Sequence, residues 1–190
     1  MKNFMRIATG LDTVPLNLAI QRRPEIWKAD TYLRDYPQGP FGEIESVILR
    51  FPPRTVHETE EALAQHLTNF DQHECVDQEV YKALPEARPI VMGLMARVAG
   101  ERLGRVIINK IAPGGRIFPH ADTPVHAQYW DRFHVVLQSA PGVYFRTGDE
   151  DVYMAPGETW WFQNAEEHEV INNSPCDRIH MVVDIRTSKP

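Results

Sequence analysis

Hydrophobic residues in this chain change their repeat near residue 100. Upstream the spacing is mostly helical. Pro24 to Arg34 reads as a short helix with Pro24 in its first turn, where a missing N–H is no loss. Thr55-Val-His-Glu58 has capping-box spacing and opens a helix through about Phe70, with Ala62, Leu63, His66, Leu67 and Phe70 on one face. A further helix, from about Pro85 to Val98, aligns Ile90, Val91, Leu94, Met95 and Val98 and stops at Gly100. Between them Ile44 to Phe51 alternates as a strand, with Val47, Leu49 and Phe51 on one face and Ser46, Ile48 and Arg50 on the other, ended by Pro52-Pro53.

Downstream the period becomes two, punctuated by Gly or Pro roughly every eight to twelve residues. The candidate strands are Arg105–Ile111, Arg116–His120, Arg132–Gln138, Val143–Thr147, Val152–Met154, Glu158–Phe162, Glu169–Ile171 and Arg178–Arg186. Short strands at this spacing predict a sandwich or barrel, of which a jelly roll is one form. Helices need a surface on which to bury their apolar faces, and a sheet needs a cover. Residues 1–190 therefore read as a single, mainly β domain with flanking helices: a jelly-roll core at 101–190 under a helix-rich N-terminal layer at 1–100.

Charge and cysteine usage narrow the function classes. A net charge of −6 argues against nucleic acid or an anionic membrane surface as partner, since either needs clustered Lys and Arg. Cys75 and Cys176 show neither CxxC nor CxxH spacing, which leaves out a disulfide scaffold and a zinc knuckle and suits free thiols in a reducing compartment. The start, MKNFMRIATGLDTVP, lacks the apolar stretch of a signal peptide, and no run reaches the roughly 18 apolar residues of a membrane span. The expectation is a cytoplasmic protein acting on a small molecule or a peptide. Eight histidines raise the question of a metal.

The segment Gly114-Gly-Arg-Ile-Phe-Pro-His-Ala-Asp122 gives that question a location. On an extended chain residues i and i+2 share a face, so His120 and Asp122 aim at one point. His168, in Asn164-Ala-Glu-Glu-His-Glu-Val-Ile-Asn172, comes within reach if three or four strands of a rolled sheet intervene. Two imidazoles and a carboxylate on one face of a metal hold non-haem Fe(II) and leave coordination positions open. An HxD pair by itself is equally what a solvated loop presents. Further on, Arg178, His180, Val182, Asp184 and Arg186 alternate with Ile179, Met181, Val183 and Ile185, and Arg132, His134 and Val136 alternate with Phe133, Val135 and Leu137. The apolar faces belong under the helices, so the arginines and histidines look into the barrel or into water. A guanidinium inside the barrel needs an anion, and its planar fork suits a carboxylate. The competing arrangement is a surface salt bridge of Arg178 with Asp184 or Asp177.

Several strings recur in order between about Arg105 and Arg186: Ala112-Pro-Gly-Gly-Arg-Ile-Phe-Pro-His120, Arg132-Phe-His134, Gly157-Glu-Thr-Trp-Trp-Phe162, His168-Glu-Val-Ile-Asn172, and Arg178 with Val183-Asp184. On these strings the chain resembles the aspartyl/asparaginyl β-hydroxylase family of Fe(II)- and 2-oxoglutarate-dependent oxygenases. The resemblance implies a double-stranded β-helix of cupin-like form, and His120 and His168 as iron ligands. It implies Arg178 on the distal carboxylate of 2-oxoglutarate, Arg132 and His134 lining the co-substrate site, and Asn109 contacting it. Some members carry glycine where Asp122 stands. With Asp122 present the ligand set becomes His120, Asp122 and His168, and halogenation, which needs the position the carboxylate fills, is disfavoured. Fe(II), 2-oxoglutarate and O2 would then serve hydroxylation of an unactivated C–H in an amino acid or amino-acid derivative, or in a peptide Asp or Asn residue. Arg50, His126 and Trp130 are the candidates for substrate contact. Two other readings keep the metal cluster: a cupin enzyme that uses no 2-oxoglutarate, in which Arg178 has no role, and a non-catalytic cupin-like binding module.

Overall fold

The computed structural model describes residues 1–36, 39–54, 57–68 and 70–188. In chain order the elements are β1 (Phe4–Ala8), α1 (Val14–Gln21), a 3-10 turn (Pro24–Lys28), α2 (Tyr32–Asp35), β2 (Ile44–Phe51), α3 (Glu60–Thr68), β3 (Val76–Asp77), α4 (Glu79–Ala83) and α5 (Ala87–Arg97). There follow β4 (Gly100–Ile111), β5 (Arg116–His120), α6 (Pro124–Tyr129), β6 (Asp131–Gln138), β7 (Val143–Thr147), β8 (Glu150–Val152), β9 (Thr159–Phe162), β10 (His168–Asn172) and β11 (Arg178–Thr187). No helix among the described residues is long and apolar enough to cross a membrane.

The strands form two antiparallel sheets, one of seven in the order β1-β9-β6-β11-β4-β2-β3 and one of four in the order β5-β10-β7-β8. Strict alternation decides which side of the large sheet meets what. Met181, Val183 and Ile185 of β11, with Phe133, Val135 and Leu137 of β6, enter a core with Leu16, Ala19 and Ile20 of α1 and Ile90, Val91 and Leu94 of α5. A second core lies between the sheets, where Val136 and Phe162 meet Ile117, Phe145 and Val170. Each such side chain contributes about 1.5–3 kcal/mol when buried. A one-residue slip would drive Arg132 and His134 under the helices, so the alternation fixes the register.

Residues 1–100 do more than cover this sheet. They supply β2 as well as both its edges, β1 and β3. Phe4 of β1 packs edge-on against Phe145 with ring centres 5.6 Å apart. In α1, Leu16, Ala19 and Ile20 form a buried stripe behind a proline in the first turn; eight residues are too few for that period to stand out in the sequence.

Several expectations are corrected by local chemistry. The helix over Pro24–Arg34 breaks into a 3-10 turn and the single turn α2, because Asp30 Oδ1 accepts the Tyr32 N–H at 3.0 Å and competes with helical bonding. The capping box at 55–58 falls partly on residues 55 and 56, outside the described residues; α3 begins at Glu60, with Thr59 Oγ1 accepting the Ala62 N–H at 3.1 Å. The apolar face of that helix is not buried: Leu63, Leu67 and Phe70 are exposed. In β2 the register shifts between Ile48 and Arg50, so Phe51 leaves the side of Val47 and Leu49 and joins Ile48 and Ile107 on the other. The strand expected at Val152–Met154 starts earlier, at Glu150, because Gly148, with φ 58°, makes a two-residue turn between Thr147 and Glu150. Between the strands expected at Arg116–His120 and Arg132–Gln138 lies α6, with Pro124 in its first turn.

Candidate metal centre and its cavity

His120 and His168 are directly opposed in the β5–β10 register, so both rings project from one face of the small sheet, with centres 4.2 Å apart. Each ring is oriented by the backbone two residues before it: Nδ1 lies 2.8 Å from the Phe118 carbonyl in His120 and 2.9 Å from the Glu166 carbonyl in His168. That contact puts the proton on Nδ1 and leaves both Nε2 atoms as free donors to a metal. Asp122 follows two residues after β5. Its backbone N–H donates to the Asn164 carbonyl at 3.1 Å, and its Oδ2 accepts from Asn164 Nδ2 at 2.8 Å. Arg132 Nη1 sits 2.7 Å from the same Oδ2. Oδ1 therefore remains for a metal. Donor atoms of His120, Asp122 and His168 all lie within 4.8 Å of one another, and His120 Nε2 is buried without a hydrogen-bond partner. Two neutral imidazoles and a carboxylate converging this way fit iron(II).

Arg132 is fully committed to carboxylates. Its Nε and Nη2 bond the two oxygens of Asp184 at 2.7 and 3.1 Å, while Nη1 holds Asp122. His126 Nε2 lies 2.8 Å from Arg132 Nη2 and 3.1 Å from Asp184 Oδ2, within reach of either. Burial acts to raise the Asp184 and Asp122 carboxyls, yet Arg132 outweighs it and holds both below the ordinary carboxylate range. The two carboxylates in turn hold Arg132 above its ordinary value against its own burial.

Arg178 is the opposite case. It is 0% exposed, and its Nε and Nη1 have no partner. Its Nη2 donates to His180 Nδ1 at 2.8 Å, and its guanidinium sits 5.8 Å from the centre of the Phe145 ring. Burial alone pushes it down to about 9. A buried guanidinium with two idle donors and no carboxylate is an anion site waiting for its anion.

The metal donors His120, Asp122 and His168 line a cavity of about 110 Å³, together with Asn109, Arg132, His134 and Asp184 and with apolar walls that include Ile107, Phe145, Phe162, Val170 and Val182; Arg178 is not in its lining and lies behind Phe145 and His134. Asn109 Oδ1 accepts from Ser46 Oγ at 2.8 Å, which leaves its amide N–H groups to donate. The remaining candidates lie elsewhere. Arg50 pairs with Asp77 at 2.6 Å and does not line the cavity. Trp130 is buried against Gly104, where a Cβ would meet its ring at 3.0 Å, and with His126 it lines an adjoining pocket. Sequence reasoning missed Asn164, which orients Asp122, and Leu33, Phe41 and Arg105, which line the cavity. Arg105 could have been found, since it shares the alternation of Ile107 and Asn109.

The histidines also set an acid limit. Burial, then the neighbouring His120, lowers His168 to about 4; burial lowers His120, and it lowers His134 and His180 well below 6.5. In the unfolded chain all four take up protons near pH 6.5. Stability present above about pH 6.5 is therefore lost as the pH falls toward about 4, because the unfolded state gains the protons first. The thermal midpoint of the metal-free protein is expected to drop steadily between about pH 7 and 4.5; a flat midpoint over that range contradicts the burial of neutral histidines.

The model of the family described as aspartyl/asparaginyl β-hydroxylase matches residues 57–188. No curated protein matches the chain by sequence. Among solved structures, a prolyl-4-hydroxylase from Pseudomonas putida is similar at 16% identity over 100% of this chain and 95% of that one, with a TM-score of 0.51. A viral collagen prolyl hydroxylase from Paramecium bursaria Chlorella virus-1, solved with 2-oxoglutarate, is similar at 11% identity over 99% and 97%, also with a TM-score of 0.51. At that identity the two structures speak for the shared jelly roll. With a family model spanning both histidines, Asp122 and Arg178, the chain belongs to the aspartyl/asparaginyl β-hydroxylase family of 2-oxoglutarate-dependent oxygenases.

Proposed function

We propose that the chain hydroxylates an unactivated C–H of an amino acid or amino-acid derivative, with His120, Asp122 and His168 holding iron(II) and Arg178 holding 2-oxoglutarate. The observation that carries this is a pair of unsatisfied features on either side of one wall: three converging metal donors in the cavity and, behind Phe145 and His134, a buried guanidinium with no anion. Iron, 2-oxoglutarate and O2 together supply the oxidising power, with succinate and CO2 as co-products.

The chain's own residues do the rest. Arg178, whose Nε and Nη1 have no partner, would take the distal carboxylate of 2-oxoglutarate as its charge-assisted acceptor. His134 and the Asn109 amide, which line the cavity on the side of Arg178, would flank the co-substrate. Arg132, already saturated by Asp122 and Asp184, serves as a positioning residue that fixes which oxygen of Asp122 faces the metal, not as a co-substrate ligand. His120 and His168 stay neutral and ready to ligate at physiological pH. Phe145, Phe162, Val170 and Val182 keep bulk water away from the reacting C–H.

Protein loaded with Fe(II) should release succinate from 2-oxoglutarate in the presence of O2 and an amino-acid panel, with one oxygen gained by the product in mass spectrometry. Turnover that persists without 2-oxoglutarate would sink this proposal in favour of a cupin enzyme that uses no co-substrate.

A further inference from the structure

The cavity wall carries an arginine, Arg105, that the proposed co-substrate site does not use. On β4, Arg105, Ile107 and Asn109 project to the same side and all line the cavity. Four residues of strand separate Arg105 from Asn109, roughly 13 Å at the usual rise. Asn109 lies opposite His180 in the β4–β11 register, close to Arg178; Arg105 stands at the other end. Arg105 is half-buried, and no carboxylate among the described residues pairs with it. The other arginine in the cavity wall, Arg132, is neutralised by Asp122 and Asp184. The guanidinium of Arg105 rests on the Phe51 ring, 5.2 Å from its centre, which fixes its plane and leaves the edge N–H groups to donate. Between the two ends the wall is aliphatic, formed by Ile107, Val182 and Leu33.

We propose that Arg105 binds the carboxylate of the substrate, so that the enzyme takes a small free carboxylate with an aliphatic body, laid along Ile107 and Val182 between Arg105 and the His120–Asp122–His168 cluster. This deepens the proposed function and rests on it.

The test uses the full chain loaded with Mn(II) under argon, so that binding is read without turnover. Calorimetry first measures 2-oxoglutarate; if it does not bind, the oxygenase assignment of the cavity fails before Arg105 is at issue. The 2-oxoglutarate-loaded protein is then titrated with aliphatic amino acids and their N-acyl derivatives, each as the free carboxylate and as the primary amide. At least one carboxylate should bind about 10- to 100-fold more tightly than its amide, the range for loss of a charge-assisted contact. Arg105→Gln should erase that preference while leaving 2-oxoglutarate affinity within about two-fold, which also shows the variant is folded; Arg105→Lys should restore part of it. Equal binding of carboxylate and amide overturns the proposal, as does a preference that survives in Arg105→Gln. Binding of an Asp-containing peptide with no member of the panel bound also overturns it, and so does a 2-oxoglutarate-loaded protein that binds none of these.

Discussion

His168→Ala is expected to abolish metal binding, and with it all succinate release, while leaving the fold in place. Loss of an outer partner of a metal ligand costs about 10- to 100-fold in affinity, so loss of one of three ligands should exceed ~100-fold. His168 is suited to this test because its working atom, Nε2, contributes nothing to the packing of the two sheets. The structural losses are the contact of Nδ1 with the Glu166 carbonyl at 2.9 Å, worth about 1 kcal/mol, and the edge-on packing of the ring on Phe162, with centres 5.0 Å apart. Removing a buried imidazole also relieves the desolvation that holds it near 4. Mn(II) titration followed by electron paramagnetic resonance, beside a thermal melt, separates the two effects. Asn164→Ala is the graded companion: it frees Asp122 from its 2.8 Å bond and should weaken the metal by about 10- to 100-fold without removing a ligand. Mn(II) binding in His168→Ala equal to wild type would place the metal elsewhere.

How far the sequence carries depends on whether an element obeys a local rule. Strands β5, β6, β7 and β11 were legible because their alternation is unbroken and bounded by Gly or Pro. The inward face of Arg132, His134, Arg178 and His180 followed from it. α1 and α6, at eight and six residues, are too short to show a period. The face of α3 was misplaced because spacing shows that a helix is amphipathic, not what it lies against; Leu63 and Leu67 remain exposed. The convergence of His120, Asp122 and His168 was legible from an HxD pair and a second strand. The role of Arg132 was not, since it depends on two carboxylates from different elements, Asp122 after β5 and Asp184 on β11, saturating one guanidinium. Arg178 has the same residue type and the same inward face, yet lacks any such partner. Only packing distinguishes them.

Arg178→Met turns that distinction into an experiment with two opposite signs. Removing one partner of a buried ion pair costs ~3–5 kcal/mol, so 2-oxoglutarate affinity should fall by more than about 100-fold. Stability of the ligand-free protein should instead hold or rise. Methionine fills a similar volume and carries no charge, and the guanidinium it replaces is fully buried, pushed down to about 9, with Nε and Nη1 unpaired. The offsetting losses are the contacts of Nη2 with His180 Nδ1 at 2.8 Å and with His134 Nδ1 at 3.5 Å; the two Nδ1 atoms, 3.3 Å apart, can bond each other instead with one ring as the donor tautomer. Calorimetry should find little 2-oxoglutarate binding to the Mn(II)-loaded variant, and a melt should show that 2-oxoglutarate raises the midpoint of wild type but not of Arg178→Met. Arg178→Lys, which keeps a charge but not the planar fork, should fall between. A ligand-free midpoint many degrees below wild type would make Arg178 a structural residue, and an unchanged 2-oxoglutarate requirement would move the co-substrate away from it. Loss of co-substrate without loss of stability is the result that a site built around a missing anion requires.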